Sequence, residues 1–362
     1  MAALPRARRS GAPASKELPP HDASALSFGG MNLKLSRSVA SVLGLSVLAL
    51  VIGCSPSNMG ERTQRLSVAT GGTGGVYYPY GGGVAKVISD HLEGVEATAE
   101  VTGGSVDNLK FIANRSADIA IVLADSLDDA YAGRGAFSDF GAVPARAIAV
   151  VYDNYNHVVT LEGSGIDSIA ALDGHVVSTG APGSGTEISA FRILEAAGVD
   201  PNTGIRRQSL GVANSVGAMK DGKIDAFFWS GGIPTGSVLD LATTPGRTVR
   251  ILSSESLLPS LQEQYGSGVY HVSNIPQSTY PGMAGDVMTV AVANVLVVHE
   301  AMDATLAGQI VDALFLNYDE FAAVHPMAAL LSLDTAAQGS PIPFHDGAVD
   351  YYREQGVWNE GQ

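Results

Sequence analysis

From Leu66 onward the chain alternates short apolar runs with stretches of helical periodicity. "LSVAT" (66–70) reads as a buried strand, and 76–93 as a helix that follows a glycine-rich loop. "VEATAEVT" (95–102) alternates like a strand and ends in "GGS". "SVDNLKFIANRS" then places Leu109, Ile112 and Ala113 on one helical face, and "ADIAIVLA" (117–124) is another buried strand. The pattern returns later as "HVVSTG" (175–180), a tight "APGSG" loop, and a helix "TEISAFRILEAAG" closed by Gly198. Alternating strands and helices of this kind predict an α/β protein.

The two stretches share more than their element order. Asp118 in "SADIAIV" stands thirteen residues after Ser105, and Asp225 in "KIDAFFW" thirteen after Val212. Both aspartates are expected to cap a helix-to-strand turn. The duplication predicts two lobes facing one another, 66–157 with 296–362 as the first and 158–295 as the second. The long apolar segments 145–161 and 287–299 would carry the chain out to the second lobe and back.

Ahead of this pattern lies a different one. "MNLKLSRSVASVLGLSVLALVIGC" begins at Met31 with Lys34 and Arg37, then runs apolar from Val39 to Ile52. A charged n-region before a short h-region predicts a signal peptide over 31–53. The apolar run falls short of the roughly 20 residues that a membrane-spanning helix needs. Val51-Ile52-Gly53-Cys54 resembles a bacterial lipobox, and Cys54 is the chain's one cysteine. That position suits lipid attachment rather than a disulfide or metal site. Residues 1–30, rich in Pro and Ala, read as a mis-annotated extension, and 54–65 as a polar tether.

Composition narrows the functional classes. With 46% hydrophobic residues among 362, the chain can bury a substantial core. The formal charge is −15 and no Lys/Arg block interrupts it, which argues against nucleic acid as a partner. Catalytic motifs are missing at the places where they would be sought. No glycine loop continues into the Lys-Ser/Thr of a Walker A sequence, and "GGTGGVYYP" does not satisfy G-x-G-x-x-G. Ser184 lacks the flanking glycines of a hydrolase elbow, and "HEAMD" at 299 lacks the second zinc histidine. No enzyme, cofactor or metal is expected.

What remains is binding. "ATGGTGGVYYPYGGG" (69–83) and "APGSGTE" both sit between a strand and a helix, where ligands of such sheets bind. Their backbone N–H groups, with Thr70 and Thr73 on one side and Ser184 and Thr186 on the other, favour a small anion. Tyr77 and Trp229 would supply flat apolar walls, or equally would be ordinary core. A carboxylate clamp would have to come from elsewhere, with Arg192 and Lys110 as the candidates.

"GGTGGVYYPYGGGVAKVI", "GGSVDNL", "ADIAIV", "APGSGTE", "DGKIDAFFWSGGIP" and "IPFHDGAVDYYREQG" together resemble the TAXI-type solute-binding proteins of tripartite ATP-independent periplasmic (TRAP) transporters. The resemblance runs from about Leu66 to Gly356. It implies a type II periplasmic-binding-protein fold, two lobes around a ligand cleft. It also implies capture of a small organic acid or amino acid, of the glutamate, glutamine or 2-oxoglutarate kind. TRAP permease subunits in the membrane would be the partners, and a lipid on Cys54 would hold the protein at the periplasmic membrane surface. Carried over by position, Thr73, Gly74 and Tyr77, Ser105 and Asn108, Ser184, Gly185 and Thr186, and Trp229 with Gly232 would bind ligand. His345 and Arg353 also match, with structural roles expected. The alternative is a ligand sensor reporting to a membrane kinase.

Overall fold

The computed structural model describes residues 63–360. β1 (Gln64–Ala69) leads through the first glycine loop into α1 (Tyr77–His91), β2 (Val95–Glu100), α2 (Ser105–Ala113) and β3 (Ile119–Leu123). α3 (Ala124–Ala132) follows directly, and β4 (Ala145–Leu161) carries the chain onward. β5 (Val176–Ser178), α4 (Gly185–Ala196), β6 (Arg206–Gln208), α5 (Val212–Lys220) and β7 (Ala226–Gly231) repeat the first order. α6 (Gly236–Ala242), β8 (Val249–Ile251), α7 (Leu258–Tyr265) and β9 (Tyr270–Ile275) precede the return strand β10 (Val287–His299). α8 (Ala304–Leu316), α9 (Tyr318–Ala322), α10 (Leu333–Ala336) and α11 (Asp346–Glu354) end the described chain.

The sheet runs β2-β1-β3-β10-β4-β7-β5-β6, with β8 beside β4 and β9 beside β10. Within β2-β1-β3 and within β7-β5-β6 the strands are parallel. β10 is antiparallel to β3, β4 and β9, and β4 is antiparallel to β7. Two parallel groups of like order therefore flank a crossing antiparallel pair. This is the α/β arrangement of the type II periplasmic-binding-protein fold that the motifs imply.

The repeated aspartates do the same work in each half, though not the work expected. Asp118 accepts the Ser67 N–H at 2.8 Å, and Asp225 accepts the Val176 N–H at 2.8 Å. Each pins the neighbouring parallel strand, β1 or β5, rather than capping its own turn. The glycines within α1 also find a reason. A Cβ on Gly81 would lie 2.4 Å from Thr70 Cγ2, so α1 sits closer to β1 than any side chain would allow. Tyr80, Val84 and Ile88 of α1 pack with Val68, Ile119, Ile121 and Leu296 in one core, joined by Ile310 and Leu314 of α8. Full burial of side chains this size contributes about 1.5–3 kcal/mol each.

β1 begins at Gln64, so the last two residues of the expected 54–65 tether belong to the sheet. The expectations for residues 1–30 and 31–53 and for lipid attachment at Cys54 lie outside the described residues. No helix among the described residues is long and apolar enough to cross a membrane.

Candidate functional site

Between the two parallel groups lies a small cavity, lined by both glycine loops and by the ends of α2 and β7. Val76 and Tyr77 open α1, Gly104 and Ser105 open α2, and Ser184, Gly185 and Thr186 open α4, and all of them line this one space. The first four N–H groups of a helix have no intrahelical acceptor. Neither α1 nor α2 has a side-chain cap. In α4 the Ser184 hydroxyl accepts the Glu187 N–H at 3.2 Å and so satisfies one of these donors. Three helix N-termini thus face one cavity, that of α2 with part of its first turn already bonded to the Gly183 carbonyl, and among the described residues no Asp, Glu, Lys, Arg or His lines it.

The halves are drawn together at its rim. The Gly183 carbonyl accepts the Val106 and Asp107 N–H groups, each at 3.1 Å, from the start of α2. In the reverse sense the Gly74 carbonyl accepts the Ser237 N–H at 3.3 Å and its hydroxyl at 3.1 Å, at the start of α6. Gly75 lies flat against Trp229, whose ring would be 2.7 Å from a Cβ there.

Trp229 is held by a chain of hydrogen bonds. Its indole N–H donates to Thr235 Oγ1 at 2.8 Å, and the Thr235 N–H donates to the Tyr280 hydroxyl at 3.0 Å. His157 Nε2 lies 2.9 Å from that hydroxyl, and its Nδ1 lies 2.8 Å from the Tyr155 carbonyl. The carbonyl can only accept, which assigns the proton to Nδ1 and leaves Nε2 to accept from Tyr280. Burial pushes His157 down to about 4, so it is neutral at pH 7. On the opposite side the Tyr77 hydroxyl donates to Asn294 Oδ1 at 2.5 Å. Burial raises that phenol well above its usual range and keeps it protonated.

Of the residues singled out by sequence, Tyr77, Ser105, Ser184, Gly185, Thr186 and Trp229 line the cavity. Thr73, Gly74, Asn108 and Gly232 do not. Thr73 is exposed, and Gly74 makes the rim contact with Ser237. Asn108 is fully buried and ties the Thr70 and Ile121 carbonyls together at 2.7 and 2.9 Å. A Cβ on Gly232 would meet Met327 at 2.6 Å, so that glycine serves packing against the first half. Thr70 is also buried, donating to the Glu100 carbonyl at 2.6 Å.

The sought carboxylate clamp is absent from both proposed positions. The Arg192 guanidinium binds Asp129 and donates to the Tyr270 hydroxyl at 2.9 Å, with Asp125 at 4.0 Å. It joins α4 to α3 outside the cavity. Lys110 lies over the rings of Phe137 and Phe140, 5.8 and 6.0 Å from their centroids. His345 accepts the Gly347 N–H at 3.3 Å at the start of α11. Arg353 pairs at the surface with Glu360 and Asp350, again away from the cavity.

Sequence reasoning missed Asn154 and Ser230. Asn154 lines the cavity from β4, with its amide pointing to the Ser230 carbonyl at 3.3 Å. Ser230 is only 4% exposed and also lines the cavity, and among the described residues its hydroxyl has no hydrogen-bond partner. Its place next to Trp229 in "FFWSGG" was the available signal.

Residues 68–356 match the model of the NMT1-like family, and the chain belongs to that family. Among solved structures, it is similar to a protein from Bordetella bronchiseptica RB50 at 20% identity, covering 83% of this chain and 91% of that one, with a TM-score of 0.48. It is similar to the periplasmic aliphatic sulphonate binding protein SsuA from Escherichia coli at 14% identity, covering 80% and 83%, with a TM-score of 0.41. A mutant of ArgBP from T. maritima aligns at 12% identity over 72% and 93%, with a TM-score of 0.45.

Proposed function

We propose that the chain is a periplasmic solute-binding lipoprotein that captures a small organic acid or acidic amino acid and delivers it to a TRAP permease. The observation carrying this reading is the convergence of three helix N-termini on one cavity between two like halves. Such a cavity suits a solute held by backbone N–H groups, with Tyr77 and Trp229 against its carbon atoms. In this reading two lobes, 66–157 with 296–362 and 158–295, close on the solute. The boundaries fall inside β4 and β10, which would act as the hinge. Family membership supports the solute-binding class, and the ordered motifs support the TRAP partner. The lipid on Cys54 belongs to the same reading.

Native mass spectrometry of freshly purified protein tests the first step, with one small acid per chain as the expected adduct. Protein that carries no solute, and takes none up from a panel of organic acids and amino acids, would refute the binding reading. Uptake in proteoliposomes driven by an ion gradient without ATP tests the TRAP assignment. For the anchor, Cys54→Ser should move the protein from the membrane to the soluble periplasmic fraction.

A further inference from the structure

Resting on that solute-binding reading, we infer that Asn294, with Asn154 behind it, is the positioning residue for Tyr77. The pair fixes the Tyr77 ring as a cavity wall and spends its phenolic proton inward, so that a solute meets no donor there. Asn154 of β4 is 2% exposed and Asn294 of β10 is fully buried. Their orientation is dictated from the far end. The Ser230 carbonyl can only accept, so the Asn154 amide donates to it at 3.3 Å and turns its Oδ1 toward Asn294. Asn294 Nδ2 donates to that oxygen and to the Tyr152 carbonyl, each at 2.9 Å. Asn294 Oδ1 is then what faces Tyr77, and a phenol facing an amide oxygen must donate.

The backbone serves the same end. The pairing of β10 with β4 changes register between Ala293 and Val295, where Val151 and Tyr152 together oppose the single Asn294. A bulge of this kind re-aims side chains and leaves a ladder group unpaired. Here the Tyr152 carbonyl is taken by the Asn294 side chain. On its other edge Asn294 stands opposite Leu123 of β3, which lines the cavity. The relay therefore runs from the start of α1, across β10 and β4, to β7 in the second parallel group. A buried polar chain with every link satisfied holds one arrangement, and cutting a link releases its neighbours.

NMR of the full chain carrying tyrosine labelled with carbon-13 at Cζ tests the relay, and Tyr77→Phe identifies the signal that belongs to Tyr77. That signal should move in Asn294→Ala, and also in Asn154→Ala, although Asn154 shares no hydrogen bond with Tyr77. A Tyr77 signal unmoved in Asn154→Ala overturns the relay. Calorimetry with 2-oxoglutarate and L-glutamate as probes tests its purpose. Tyr77→Phe should weaken the probe that binds by about threefold or more, yet cost nothing further in the Asn294→Ala background. An equal loss in both backgrounds means that the hydroxyl serves the solute directly, and overturns the inference. Should Asn294→Ala fail to fold, Asn154→Ala takes its place as the background, and an undiminished loss there overturns the inference equally. The NMR result needs no solute. A chain that binds neither probe and carries no adduct in native mass spectra therefore removes the solute-binding reading, while the Tyr77 signal still decides the relay.

Discussion

The two glycine loops occupy equivalent places, each after the first strand of its parallel group and before a helix, yet they are finished differently. The second loop ends in Ser184, whose hydroxyl accepts the Glu187 N–H, so α4 supplies part of its own cap. The first loop ends at Val76 with no side-chain cap on α1. A helix start without a cap leaves donors for something else to satisfy. α4 is further tied to α3 through Arg192, Asp125 and Asp129. Equal topology thus divides into two tasks. In the proposed reading the second loop is a fixed platform, and the first is the part that a solute would complete.

The largest expected effect breaks the platform. Arg192→Met takes the guanidinium from buried Asp125 and Asp129 and leaves Asp129 only Arg134 at 3.4 Å, and removing one partner of a buried pair costs about 3–5 kcal/mol. Urea unfolding should show a loss in that range, and a change below about 1 kcal/mol would mean that α4 is not anchored there. Next comes acidity. His157 holds Trp229 through Tyr280 only as a neutral ring, and its folded value near 4 lies below the 6.5 of an unperturbed histidine. The unfolded chain binds the extra proton between those values. Stability from this group is therefore complete above about pH 6.5, declines as pH falls toward 4, and changes no further below. The limit is about 3 kcal/mol, and His157→Gln should remove that part of the slope in urea midpoints measured from pH 7 to 4.5.

Gly75→Val tests the first loop. The added carbons would strike the Trp229 ring, and in the proposed two-lobe reading that clash arises on closure. Solute affinity should fall about a hundredfold, close to 2.7 kcal/mol, with little change in the melting temperature of the free protein. Ser184→Ala is the mildest. It removes the one side-chain cap of the pair and should cost about 1 kcal/mol of stability. Comparable loss of solute affinity and stability in both loop variants would erase the distinction between the loops.

Much of the fold was legible because burial wrote it in periodic form. β3 is buried at every position, and "ADIAIVLA" shows that as a continuous apolar run. The duplication was legible from Asp118 and Asp225, since each half needs an acceptor at the same strand start. α3 was not, because it follows β3 without a turn or breaker to mark the change. The site was read less evenly. Loops announce close backbone approach through glycine, and Ser184, Gly185, Thr186 and Tyr77 from those loops do line the cavity. Asn108 and Ser230 show the limit. Both are polar residues beside a loop, and only tertiary contacts decide which one is consumed as a strut and which keeps its hydroxyl free.

The central strand β10 also sets how this chain can fold. It pairs Asn294 with Leu123 on one side and Ala291 with Tyr155 on the other, so the sheet's middle is assembled from its most distant sequence neighbours. Contacts of that range carry loop-closure entropy that must be met before they stabilise anything, which slows folding. Without β10, β3 keeps an open apolar edge. An incomplete chain ending before Val287 is therefore an aggregation hazard rather than a smaller working protein.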